Sequence, residues 1–78
     1  REAAPETSYT AKLFREGIDR MAQKVGEEGV EVVIALKNDD DEALKGEAAD
    51  LLFHLMVALK SRGLTITDVA ETLRRRHR

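Results

Sequence analysis

Apolar and small residues recur every three or four positions along two segments of the chain, which is the spacing of one face of a helix. The polar run from Asn38 to Asp41 separates the segments and is typical of a tight turn. Asp39, followed three residues later by Glu42, predicts a capping box at the start of the second helix. The first apolar stripe comprises Ile18, Met21, Ala22, Val25, Gly29, Val32, Val33 and Leu36, and the second comprises Leu44, Ala48, Leu51, Leu52, Leu55, Ala58 and Leu59.

Two shorter helices are predicted on either side of this helical hairpin. Ser8 is a suitable N-cap for a helix over Tyr9–Glu16, and Gly17 would end that helix. Residues 1–7 are polar and lack periodicity, so we expect a flexible N-terminal arm ahead of one domain over residues 8–78.

The C-terminal part of the chain carries similar punctuation. Gly63 is placed to end the second long helix near Arg62, and Thr65 with Asp68 predicts a capping box for a last helix. No segment needs to be a strand. The pattern therefore predicts an all-α fold, an antiparallel helical hairpin with short flanking helices.

Composition limits how such a small chain can be stabilised. The chain has 78 residues, 36% of them charged and 4% aromatic, and it contains no cysteine. A domain of this size buries a limited fraction of its surface, and neither a disulfide nor a thiolate zinc site can reinforce it. The remaining ways to stabilise the fold are close helix packing and self-association.

Charge and hydropathy restrict the class of function. The net charge of −2 argues against a general nucleic-acid binder. No apolar run approaches the ~20 residues that span a bilayer, and no signal peptide is visible. We therefore expect a cytoplasmic protein with neither a nucleic-acid nor a membrane partner.

Acidic residues lie at the edges of both apolar stripes, where a charged side chain meets the border between core and water. At ~100° per residue, Glu28 and Glu31 share one edge of the first helix, and Glu47 and Asp50 share one edge of the second. Glu27 lies further round, toward solvent. Lys24 and His54 fall on the same edges, one turn further from the loop.

The two acidic pairs also match in height along the hairpin. Glu31 is nine residues before Asp40 and Glu47 is seven after it, while Glu28 is twelve before and Asp50 ten after. At ~1.5 Å per residue each pair agrees within ~3 Å, and a turn centred one residue earlier removes the mismatch. The four carboxylates would then gather at one level if both edges lie on the same side.

Such a cluster indicates a divalent-metal site, because unrelieved carboxylates repel one another. Oxygen ligands suit Mg²⁺ or Mn²⁺, and such an ion can orient a phosphate chain for cleavage of a phosphoanhydride bond. The competing interpretation is an ordinary solvated acidic face, since glutamate pairs three residues apart are common on helices. His54 is either a supporting residue of this site or a histidine at the edge of the core.

Three sequence runs resemble the phosphoribosyl-ATP pyrophosphohydrolase family of histidine biosynthesis. They are Ser8-Tyr9-Thr10-Ala11-Lys12-Leu13-Phe14, Gln23-Lys24-Val25-Gly26-Glu27-Glu28-x-x-Glu31 and Glu47-Ala48-Ala49-Asp50-Leu51-Leu52-Phe53-His54-Leu55. The acidic pattern alone is similar to the wider all-α NTP pyrophosphatase (MazG-like) superfamily. The first two runs specify the histidine-pathway branch.

The resemblance implies a four-helix core completed by homodimerisation. It implies Mg²⁺-dependent cleavage of the α–β anhydride of phosphoribosyl-ATP, giving phosphoribosyl-AMP and pyrophosphate. Glu28, Glu31, Glu47 and Asp50 match the metal-binding acids of the catalytic site, and Glu27 matches the first glutamate of the motif. The positions expected near the substrate are Ser8, Tyr9, Thr10, Lys12 and Lys24. The family usually has a further helix before Ser8, which is short or missing here.

Three other functions stay open at this stage. A related hydrolase of ordinary nucleoside triphosphates would share the acidic pattern. Residues 64–76 could end a helix-turn-helix module whose arginine run touches DNA phosphates, although the negative net charge argues against this. A structural homodimer with solvated acidic edges would not respond to metal.

Overall fold

The computed structural model describes the backbone of residues 5–77 and the side chains of residues 8–77. Every regular element in that range is an α-helix, which confirms the all-α prediction. The helices are α1 (Pro5–Glu16), α2 (Ile18–Lys37), α3 (Asp41–Ser61) and α4 (Ile66–Arg76).

Helices α2 and α3 form the predicted hairpin and make the most extensive contact between helices. The loop between them is short, because α2 ends at Lys37 and α3 begins at Asp41. Its central residue is Asp39. The turn is therefore centred one residue before Asp40, the residue from which the heights of the acidic pairs are counted above.

The N-cap of α3 is Asp40, so the prediction of Asp39 was wrong. The Asp40 carboxylate accepts a hydrogen bond from the Ala43 N–H at 3.1 Å, and its backbone is extended, as a cap requires. Asp39 instead has a φ of 57°. This left-handed conformation reverses the chain and is incompatible with the extended geometry of a cap.

Helix α1 begins at Pro5, earlier than the predicted start at Tyr9. Proline suits the first position of a helix, because its φ is already helical and it has no N–H to leave unpaired. Ser8 therefore lies inside α1 and is not its N-cap. The predicted arm overlaps α1 at residues 5–7, and its residues 1–4 lie outside the described part of the chain. Gly17 ends α1 as predicted, with a φ of 93° that favours glycine.

The end of α3 and the start of α4 follow the sequence signals. Gly63 has a φ of 74°, and the Leu64 N–H donates to the Leu59 carbonyl at 2.9 Å, as in a Schellman motif. The predicted capping box of α4 is present: Thr65 caps the Asp68 N–H, and the Asp68 carboxylate accepts from the Thr65 N–H.

The buried core lies at the end of the hairpin away from the turn, where α1 covers α2 and α3. Leu13, Met21 and Val57 form its centre, and Tyr9 and Phe53 pack against them.

Several apolar positions of the predicted stripes lie outside this core. Met56, which also lies among the apolar positions of the second long helix, is exposed. The stripes wrap further round each helix than the neighbouring helices of one chain can cover. The other predicted stripe residues that are exposed are Ile18, Ala22, Val33, Leu36 and Leu52.

Candidate metal and phosphate site

The hairpin places its acidic residues at matched heights. Glu28 on α2 and Asp50 on α3 are each eleven residues from Asp39, the centre of the turn. Glu31 and Glu47 are each eight residues from it. Antiparallel helices with equal rise therefore bring both pairs to equal distances from the loop.

Three of these acids converge to form a group that could hold a metal ion. One carboxylate oxygen from each of Glu28, Glu47 and Asp50 lies within 4.8 Å of the other two. We call this group the acidic cluster. Glu28 and Glu47 are half-buried and Asp50 is exposed, so the cluster lies at the border of the core and opens to solvent.

The carboxylates of the cluster repel one another electrostatically. Partial burial raises the pKa of Glu47 above its ordinary value, and the negative charges of Glu31, Asp50 and Glu28 raise it further. A cation bound between these groups would offset this repulsion.

Glu31, predicted as a fourth metal ligand, is exposed and lies outside the group of three. It is nevertheless close enough to Glu47 for its charge to raise the pKa of that residue. Its role as a ligand stays a prediction.

Lys24 and Glu27 lie beside the acidic cluster on α2. The Lys24 ammonium is 3.5 Å from a Glu27 oxygen and 3.6 Å from a Glu28 oxygen. The Gln23 amide donates a hydrogen bond to Glu27 at 2.8 Å. That hydrogen bond, together with the Lys24 ammonium, lowers the pKa of Glu27 below its ordinary value. Gln23 was not among the predicted site residues, and its position four residues before Glu27 was the available signal.

Helix α1 contributes the remaining predicted site residues. Ser8 and Lys12 are exposed, while Tyr9 and Thr10 are half-buried. Tyr9 contacts α3 through a 2.7 Å hydrogen bond between its hydroxyl and His54 Nε2.

His54 is buried, and both of its ring nitrogens have partners. Its Nδ1 lies 2.8 Å from the backbone carbonyl of Asp50, one turn earlier on α3. The prediction of a histidine near the core edge located it correctly, but the contact with Tyr9 was missed. Only tertiary packing brings together two residues that are 45 positions apart.

The donor set of the acidic cluster fits a hard divalent cation. All three groups offer oxygen, two helices supply them, and small side-chain movements would bring one oxygen of each to a shared ion. Mg²⁺ typically takes a few carboxylates, keeps some waters and completes its coordination with substrate phosphates. Chemically, the site can therefore bind a metal-complexed phosphate chain at a solvent-open edge.

Among residues 5–77, no helix is both long and apolar enough to cross a membrane.

Nearly the whole chain is similar to one family of known proteins. Residues 1–77 match the family model for phosphoribosyl-ATP pyrophosphohydrolase.

Three relatives illustrate the match. The phosphoribosyl-ATP pyrophosphatase of Leptospira biflexa is 49% identical over 77 residues, covering 99% of this chain and 84% of the relative. The histidine biosynthesis bifunctional protein HisIE of Bacillus subtilis is 56% identical over 73 residues, covering 94% of this chain and 35% of the relative. The bifunctional HisIE of Escherichia coli is 54% identical over 77 residues, covering 99% of this chain and 38% of the relative.

The chain thus spans little more than a third of the bifunctional relatives but most of the Leptospira protein. The match to the family model and the 77-residue alignment with the Leptospira relative both span the positions of the acidic pairs and of the Ser8–Lys12 segment. On these grounds the chain belongs to the phosphoribosyl-ATP pyrophosphohydrolase family.

Proposed function

We propose that this chain hydrolyses the α–β phosphoanhydride of phosphoribosyl-ATP, giving phosphoribosyl-AMP and pyrophosphate, as the second step of histidine biosynthesis. The observation that carries the proposal is the acidic cluster, in which oxygens of Glu28, Glu47 and Asp50 lie within 4.8 Å of one another. Family membership supports the choice of substrate over other nucleoside triphosphates, because the names of the relatives specify it.

The acidic cluster would hold Mg²⁺, or Mn²⁺ in its place, with Glu31 as a fourth ligand. When bound, the ion supplies charge neutralisation for the triphosphate and lowers the pKa of an attacking water. The protein's part is to fix the phosphate chain at the solvent-open edge of the hairpin, so that water attacks in line.

Two residues beside the cluster have separable roles. Lys24 lies near enough to Glu28 to move toward phosphate oxygens and offset the charge that develops on pyrophosphate. Glu27 pairs with Lys24 at 3.5 Å and would hold that ammonium beside the acidic cluster. The proton from the attacking water is then accepted by a carboxylate of the cluster.

The proposal includes a substrate-binding role for α1 and a homodimeric assembly in the cytoplasm. Ser8, Tyr9, Thr10 and Lys12 would contact the ribose and phosphates. Large apolar side chains that are exposed on the hairpin, among them Val30, Ile34, Leu52 and Met56, support self-association, because a small soluble monomer seldom exposes so many.

The test is pyrophosphate release from phosphoribosyl-ATP, with deoxynucleoside triphosphates as competing substrates and Mg²⁺ titrated. Glu47→Gln keeps the shape of the side chain but removes its charge, and we expect kcat to fall roughly 100-fold. Glu42→Gln is the matched control, since the Glu42 side chain is 85% exposed on the same helix and pairs with the exposed Lys45. We expect this control to retain full activity.

Two results would overturn the proposal. Undiminished turnover by Glu47→Gln at saturating Mg²⁺ would remove the acidic cluster from catalysis. Faster turnover of deoxynucleoside triphosphates than of phosphoribosyl-ATP by the unaltered protein would assign it to a different substrate.

A further inference from the structure

His54 is the buried polar side chain of the described chain, with only 7% of its surface exposed. It connects two helices that carry different parts of the proposed site. Its Nδ1 is 2.8 Å from the Asp50 carbonyl on its own helix, and its Nε2 is 2.7 Å from the Tyr9 hydroxyl on α1. A single imidazole ring thus separates Tyr9 from the backbone of a cluster residue.

The hydrogen-bond roles follow from the chemistry of the partners. A carbonyl oxygen can only accept, so Nδ1 of His54 carries the proton and donates to Asp50. In the neutral ring Nε2 is then an acceptor, and the Tyr9 hydroxyl donates to it. The bond within α3 fixes the tautomer, and the tautomer fixes the direction of the bond to Tyr9.

Ring packing restricts the same contact. The Tyr9 and Phe53 rings stack with centroids 5.9 Å apart, and His54 meets them edge-on at 5.5 Å and 5.3 Å. Edge-to-face and offset arrangements of this kind are the favoured geometries for aromatic rings. Tyr9 is therefore held by both a hydrogen bond and two ring contacts. The hydrogen bond goes to His54, one turn of α3 beyond Asp50.

We propose that His54 is a positioning residue that holds the substrate-binding segment of α1 at a fixed place beside the acidic cluster. This inference rests on the proposed function and names a further residue of the same site. The acidic cluster binds the phosphate chain, and His54 acts through Tyr9 to keep the Ser8–Lys12 segment in place for the rest of the substrate. Preorganisation removes the cost of ordering α1 on binding, so the contribution appears in KM rather than in kcat.

Two substitutions remove the contact from either side. His54→Phe keeps a ring but loses both hydrogen bonds, and Tyr9→Phe loses only the hydroxyl. We expect each to raise KM for phosphoribosyl-ATP about tenfold, in line with the loss of one buried hydrogen bond, while kcat stays within about twofold. Calorimetric affinity for phosphoribosyl-AMP should fall by the same factor. In a Tyr9→Phe background, His54→Phe should have no further effect on KM.

A pair of conservative variants separates positioning from packing. In His54→Gln the side-chain amide reaches the place of Nε2 and its oxygen can accept from Tyr9, so KM should return toward the original value. In His54→Asn the amide can replace only Nδ1, and KM should stay high. Manganese binding to the acidic cluster, measured by electron paramagnetic resonance, should be unchanged in all four single variants.

The outcomes distinguish this inference from the proposed function. If the unaltered protein releases no pyrophosphate at saturating Mg²⁺, the proposed function is overturned, and the inference with it. In an active enzyme, an unchanged KM in His54→Phe overturns the inference alone. So does a raised KM that His54→Gln does not restore, or weakened manganese binding in His54→Phe.

Discussion

Two sides of the α2–α3 hairpin differ in what they bury: the inward side carries the acidic cluster at the border of the core, and the outward side carries the exposed residues Val30, Ile34, Leu52 and Met56. On the inward side the Glu28 side chain is 13% exposed, although it is a carboxylate. On the outward side of α2, two residues along, Val30 is 59% exposed, and Ile34 one turn later is 49% exposed. On α3, Leu52 and Met56 are also large apolar side chains that are exposed, at 51% and 48%.

This contrast between the two sides shows that hydrophobicity alone does not decide which side chains are buried in this chain. Carboxylates at the border of a core cost stability unless a cation offsets their repulsion. Large apolar side chains facing water forgo the stabilisation that burial would bring. Both features are explained if the inward side binds metal and the outward side binds a second copy of the chain, as proposed above.

The largest expected effect concerns the outward side. Ile34→Glu places a charge among the exposed apolar side chains of α2, where a dimer would have to bury it. We expect the unaltered chain to sediment as a dimer and Ile34→Glu to weaken the dimer by roughly 100-fold. Sedimentation equilibrium over a range of concentrations measures this directly.

Ala43→Glu is the control for that experiment. Ala43 is exposed in the first turn of α3, where an added negative charge is favourable to the helix. This variant should dimerise like the unaltered chain. A monomeric unaltered chain, or equal weakening by both variants, would disprove the assignment of the outward side to self-association.

The next effect concerns the inward side and its dependence on pH. The raised pKa of Glu47 means that the folded, metal-free protein binds this proton more tightly than the unfolded chain. The stabilisation from Glu47 is therefore present at pH below its unfolded pKa and is lost as pH rises through the higher folded pKa. Glu47→Gln should accordingly raise Tm in the absence of metal at about pH 7, and this gain should shrink near pH 4.

Addition of Mg²⁺ provides the counterpart of that prediction. Metal should raise Tm of the unaltered chain more than that of Glu47→Gln, since a ligand that binds only the folded state stabilises it. Glu42→Gln, outside the cluster, should show neither the pH-dependent gain nor the altered metal response. If Glu47→Gln lowered Tm without metal at neutral pH, repulsion within the cluster would be the wrong description.

The smallest effect concerns an acid that belongs to neither side. Asp40 caps α3, so Asp40→Ala should lower the free energy of unfolding by about 1 kcal/mol, equally with and without Mg²⁺. Urea denaturation measures the change. Asp39→Gly is the companion variant, and we expect it to be neutral or stabilising because glycine tolerates the φ of 57°. A metal-dependent effect of Asp40→Ala would instead connect the turn to the acidic cluster.

Much of this fold was predictable because its signals are local. The spacing of apolar residues located α2 and α3, and Gly17, Gly63 and the Thr65–Asp68 pair marked helix ends that the structure confirms. The failures were also local in origin. Asp39 and Asp40 are adjacent aspartates, and residue type alone does not show which of them takes the extended backbone of a cap. Ser8 is a suitable cap by residue type, but the helix already starts at Pro5.

The candidate site divides in the same way. Counted about Asp40, the acidic pairs matched in height within ~3 Å, and this predicted the approach of α2 carboxylates to α3 carboxylates. The structure centres the turn on Asp39, which makes the distances equal. Burial was less predictable, because Met56 and Leu52 fit an apolar stripe as well as Met21 does. Which of them is covered depends on where α1 packs.

Local signals were enough to predict four helices, an antiparallel hairpin with its acidic pairs at similar heights and the family to which the chain belongs, since periodicity, turn residues and short motifs lie along the chain. The tertiary structure decided which three acids converge, which side of the hairpin stays uncovered, and the contact of Tyr9 with His54. The physical reason is distance along the chain. Helix spacing and capping act within about four residues, whereas these contacts depend on how three helices pack around one small core.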